Sequence, residues 1–205
     1  MTCGTLRDME TVPRTPHTDE LGRAATPPAP GDLELVRAFM SVHDHVAGTR
    51  DSLAPGSSTI RWWLTEHGLI DPGATPDDEE MDLAADVLEA LRSRVRENMG
   101  DERDLHAIRV LDDAARATGL TVRFGSEGIV ATTDGVRGAL GRILAIAFLS
   151  ELDGTWSRFK ECGAQDCRSV FWDRSKNGSG RWCTMKECGN RAKVRAYRER
   201  ERSGA

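Results

Sequence analysis

Four cysteines constrain this chain more than any other feature. Cys162 and Cys167, then Cys183 and Cys188, form two C-x4-C pairs near the C-terminus. Together they offer four thiolates, a complete tetrahedral shell for one zinc ion. With all four positions filled by protein, the ion is expected to be structural and not catalytic. Residues 1–31 show no apolar secretory core, and the most apolar run, residues 143–149, is too short to cross a bilayer. The expectation is therefore a cytoplasmic protein without membrane contact, where clustered cysteines hold metal in preference to forming disulfides. Cys3, the fifth cysteine, is expected to be an incidental free thiol.

The 205 residues suffice for one ordinary domain and a small metal-stapled one. Five of the eight prolines fall in residues 1–31, a composition read as a disordered tail. Helical periodicity begins at Asp32, with Leu33, Leu35, Val36, Phe39, Met40 and Val42 on a broad apolar face, and this first helix is expected to end by Gly48. A short helix is expected from Thr59 to Gly68. A longer one starts at Thr75-Pro76-Asp77, with Met81, Leu83, Ala84, Val87, Leu88, Leu91 and Val95 facing the core. The acidic run from Asp77 to Asp82 is the ordinary complement to a helix dipole. Residues 104–118 predict a further helix, residues 120–132 a β-hairpin turning at 125–128, and residues 133–152 a closing helix with Val136, Leu140, Ile143, Leu144, Ala147 and Phe148 inward. The expected division is a tail over 1–31, a helical domain over 32–153 bounded by Gly154, and a finger over 154–205.

Inside the finger, Cys162 and Cys167 should form a knuckle, Val170-Phe171-Trp172 a hairpin with Arg181-Trp182, and Phe171, Trp172 and Trp182 a miniature core. Thr184 and Glu187 match a capping box for a final helix. On that helix Arg191, Arg195, Arg198 and Arg202 recur at i, i+4, i+7 and i+11, one guanidinium stripe suited to phosphate. The net charge of −5 hides an asymmetry: residues 158–202 hold 13 Lys/Arg against 6 Asp/Glu, leaving the rest with 15 against 27. A basic module on an acidic body points to a polyanion partner, although part of the charge would serve to offset the zinc–thiolate centre.

Other constellations have plainer readings. His43 and His45, two apart on a helix, face nearly opposite ways and cannot share a metal. Trp62-Trp63 is expected to place one ring inward and one half exposed. No phosphate loop, nucleophile elbow or metal-ligand histidine pair is visible, so no enzymatic activity is expected.

The C-terminal stretch resembles the CGNR zinc-finger family, in Cys162-x4-Cys167, Phe171-x-Asp173-x-Ser175, Arg181-Trp182-Cys183, Cys188-Gly189-Asn190-Arg191 and Lys193-x-Arg195. Residues 32–153 look like the ABATE domain that precedes this finger in stress-induced bacterial transcription regulators. The chain has Ser41-Val42 where the family commonly has Asn-Thr, and Ser179-Gly180 where its loop is often arginine-rich. The resemblance implies an α+β, mainly α chain ending in a treble-clef-like finger of knuckle, hairpin and helix. It further implies DNA binding through Arg181, Arg191, Lys193, Arg195, Arg198 and Arg202, with an N-terminal domain that senses a small-molecule effector or forms a homodimer. A zinc-stapled module for protein or RNA is the alternative.

Overall fold

The computed structural model describes residues 26–42, 57–125, 128–164 and 167–204. His43, His45 and Cys3 lie outside the described residues. The fold is mainly helical, with two small antiparallel hairpins and a C-terminal cysteine cluster. The helices are α1 (Leu33–Met40), α2 (Ser57–Glu66), α3 (Asp78–Glu97), α4 (Leu105–Ala117), α5 (Gly135–Leu152) and α6 (Asn190–Ser203). No described helix is long and apolar enough to cross a membrane.

Helix α3 is the spine, and its start is written locally. The Asp77 side chain accepts from the Glu80 N–H at 2.9 Å while the Glu80 side chain reaches back, closing a capping box that satisfies two orphan donors. Met81, Ala84, Val87, Leu88, Leu91 and Val95 are buried as the apolar period demands, and Leu83 packs partly against them. Helices α1, α2, α4 and α5 surround this face. Trp63 is 2 % exposed and packs on Phe39, whereas its neighbour Trp62 is 55 % exposed.

Helix α1 ends by Gly48 as expected, stopping at Met40, where the Ser41 hydroxyl turns back to the Arg37 carbonyl at 2.9 Å. Two other expectations are corrected. Phe148 lies on the outer side of α5, 49 % exposed, because the core there is filled by Val136, Leu140, Ile143, Leu144 and Ala147. The hairpin β1 (Thr121–Arg123) and β2 (Gly128–Val130) forms as expected, but at the surface.

The second correction concerns the second hairpin. Strand β4 (Val170–Trp172) pairs with β3 (Phe159–Glu161), not with Arg181-Trp182. The turn of this hairpin is the cysteine knuckle itself, since the Cys162 N–H bonds the Ser169 carbonyl at 2.9 Å just beyond the Glu161–Val170 pair. Alternation along β4 then divides its side chains. Val170 and Trp172 join Trp156 and Phe159 against the helical core, and Phe171 faces the cysteines. Trp172, expected in the finger's own core, instead meets Phe159 edge-on at 5.1 Å. The apolar core therefore runs on past Gly154, and Asn98 at the end of α3 fastens the crossing by donating to the Trp156 and Phe159 carbonyls at 2.9 and 3.0 Å.

Candidate metal centre and nucleic-acid interface

The four cysteines come from two ends of one folded loop. Cys162 and Cys167 flank the knuckle, Cys183 lies just before a π-helical turn, Met185–Gly189, that leads into α6, and Cys188 lies within that turn. The expected capping box at Thr184 and Glu187 does not form, and the Thr184 side chain caps nothing. A wider turn than an α-helix permits swings Cys188 back over Cys183. Between the pairs, Asp173 anchors the loop over residues 174–180. It is 3 % exposed and accepts from the Ser175 N–H at 2.9 Å and the Gly180 N–H at 2.7 Å, with Lys160 Nζ at 3.1 Å. Burial opposes the charge, but the Ser175, Gly180 and Lys160 bonds outweigh it and hold the carboxyl down to about 2. The loop returns the chain so that the Arg181 carbonyl accepts from the Gly163 N–H at 2.9 Å, delivering Cys183 to the knuckle.

All four Sγ atoms lie within 4.8 Å of one another. Sγ of Cys183 is 3.6 Å from that of Cys167 and 3.5 Å from that of Cys188. Zinc–sulfur bonds of about 2.3 Å arranged tetrahedrally require sulfur separations of roughly 3.8 Å, so the donor set fits one zinc ion. The cysteines are free, not paired in disulfides. Crowding sets three of the acidities apart: hydrogen bonds from Cys162 and Cys183 hold the Cys167 thiol below its usual range, the Cys162 thiol is pushed up to about 12 by its bond to Cys167, and the Cys183 thiol is raised by Cys162 and Cys167. Four thiolates this close repel one another, and a bound cation would neutralise them. Cys162 and Cys188 are buried, and Phe171 and Trp182 shield the cluster.

Each member of the Cys188-Gly189-Asn190-Arg191 tetrad has a visible task. Cys188 is a ligand. A Cβ on Gly189 would come within 2.7 Å of the Met185 sulfur and 3.4 Å of the Trp182 ring. Asn190 Nδ2 donates to the Lys186 carbonyl at 3.0 Å, satisfying the turn, and Arg191 Nη2 donates to Cys188 Sγ at 3.1 Å. Downstream, α6 buries none of its residues. Arg191, Arg195, Arg198 and Arg202 line one groove along it with Glu187 and Glu199 among them, joined by Lys186, which sequence reasoning did not single out. Lys193 lies on the other side of the helix, two residues from Arg191 and so about 200° around the axis. Arg181 stands off the helix with its guanidinium 5.7 Å from the Trp182 ring centre.

These features define a four-cysteine zinc finger with a basic helix. Residues 158–201 match the family model described as the CGNR zinc finger, a segment that begins in the turn before β3 and takes in all four cysteines and most of α6. Comparison with curated proteins gives no match.

Proposed function

We propose that the chain is a DNA-binding transcriptional regulator in which α6 engages phosphates and the helical body, read as ABATE-like, senses a signal or dimerises. The observation that carries this reading is α6 itself, 14 residues long with no buried side chain and four arginines along one groove. A helix of that length is marginal alone in water, and like charges at i, i+4 oppose it. A polyanion laid along the groove relieves both costs.

Arg191 is already engaged with Cys188 Sγ, so phosphate contacts fall to Arg195, Arg198 and Arg202. Three contacts give a slope of log affinity against log salt of roughly −2.7 on duplex DNA. Full-length protein titrated with duplex at several salt concentrations should approach that value. Arg195→Ala and Arg198→Ala should each flatten it by about 0.9 with zinc retained, and Lys193→Ala should leave it unchanged. An unmoved slope with the stripe variants, or no DNA binding at all, sinks the reading. The second reading is a protein partner, favoured by the exposed Met185, Val194 and Tyr197 on and beside α6. That reading predicts association that salt scarcely weakens.

A further inference from the structure

Arg92 occupies a core-facing register of α3, four residues after Leu88 and three before Val95, and is 4 % exposed. Its guanidinium grips three separate segments. Nη1 donates to the Met40 carbonyl at 2.7 Å, at the end of α1, and Nη2 donates to the Arg168 carbonyl at 2.9 Å and to Glu161 Oε2 at 3.1 Å. Glu161 immediately precedes Cys162, and Arg168 immediately follows Cys167. Both borders of the first cysteine pair are thus held by one side chain of the helical body.

The second border is strained. Arg168 has φ +55, the one positive φ outside glycine among the described residues, a region that a side chain of this size disfavours. Two bonds hold it there, Arg92 on its carbonyl and Glu161 Oε1 accepting from its Nε at 2.8 Å. A buried ion pair is weak evidence for net stability, since apolar replacements are often as stable. What this pair provides is shape: the left-handed turn that aims Cys162 and Cys167 at the same point.

We propose that Arg92 is a positioning residue for the zinc site, so that the helical body sets the metal affinity of the finger. The proposal rests on the four-cysteine zinc site and is independent of nucleic-acid binding. It is tested on full-length protein by competing zinc against a chromophoric chelator, by the ligand-field bands of the cobalt(II)-substituted site, and by far-UV circular dichroism of the body. Arg92→Met should weaken zinc about tenfold and alter the cobalt bands while helical content stays. Arg92→Lys, which keeps a charge beside Glu161 but not the fork, should remain weak. Adding Arg168→Gly, where the left-handed turn carries no side-chain penalty, should recover most of the loss. Wild-type zinc affinity in Arg92→Met, or no recovery with Arg168→Gly, overturns the proposal. Should Arg92→Met fail to fold, Glu161→Ala removes both oxygens that accept from Arg92 and Arg168, and undiminished zinc affinity in that variant overturns it equally.

Discussion

The guanidinium of Arg191 lies 3.1 Å from Sγ of Cys188, three residues before it in the chain. Arg191 therefore acts on a candidate ligand, and with zinc bound its charge-assisted hydrogen bond would stabilise the coordinating sulfur. Arg191→Ala should weaken zinc about tenfold, an effect on metal that Arg198→Ala should not share. Chelator competition on the two variants separates them, and equal zinc affinities would show the Arg191 contact to be incidental.

Purified protein should hold one zinc per chain, and Cys183→Ser or Cys188→Ser should lose it. Because metal binding and folding are coupled, removal by chelator should unfold the cluster around Phe171 and Trp182. It should also lower the melting temperature of the helical body, since β4 belongs to both. Metal analysis with near- and far-UV melting reads the two effects; a body melting unchanged without zinc would contradict the second.

Asp173 makes a separate prediction. Its folded-state carboxyl lies near 2 against an ordinary 3.8, so its charge stabilises the fold fully above about pH 4 and loses that contribution as pH falls toward 2. At pH 7 the contribution is complete. Asp173→Asn should then cost about 2 kcal/mol in denaturant unfolding at neutral pH. Gly180→Ala should be comparably harmful, because its Cβ would sit 2.5 Å from Asp173 Oδ1.

Trp62 and Trp63 should behave as opposites. Trp63→Ala empties a site in contact with Phe39 and should cost about 3–5 kcal/mol, whereas Trp62→Ala should change stability by less than about 0.5 kcal/mol. Urea midpoints decide the matter, and a large loss at Trp62 would point to a role for its exposed ring.

The zinc ligands were legible because thiol chemistry and spacing leave few alternatives, and α3 because Pro76, Asp77 and Glu80 spell a helix start. Strand β3 was not: Phe159-Lys160-Glu161 is too short to show a period, so Arg181-Trp182 stood in as partner for β4. The Thr184–Glu187 pattern misled because the ligand geometry at Cys188 calls for a π-turn where the local signal favours an ordinary cap. Arg92 did carry a signal, a cation at an apolar register between Leu88 and Val95. Its partners Glu161 and Arg168 lie 69 and 76 residues away, beyond the reach of periodicity.

Strand β4 serves the helical core with Val170 and Trp172 and the metal cluster with Phe171. Insertions and deletions should therefore fare very differently along the finger. One residue added or lost within β4 would exchange its two faces, sending Phe171 into the body and a neighbour of Val170 toward the cysteines, and both cores would fail together. Length changes among residues 176–179, between the two anchors of Asp173, meet no such constraint. Variation in the finger's size should collect there, while the spacing from Cys167 to Asp173 stays fixed.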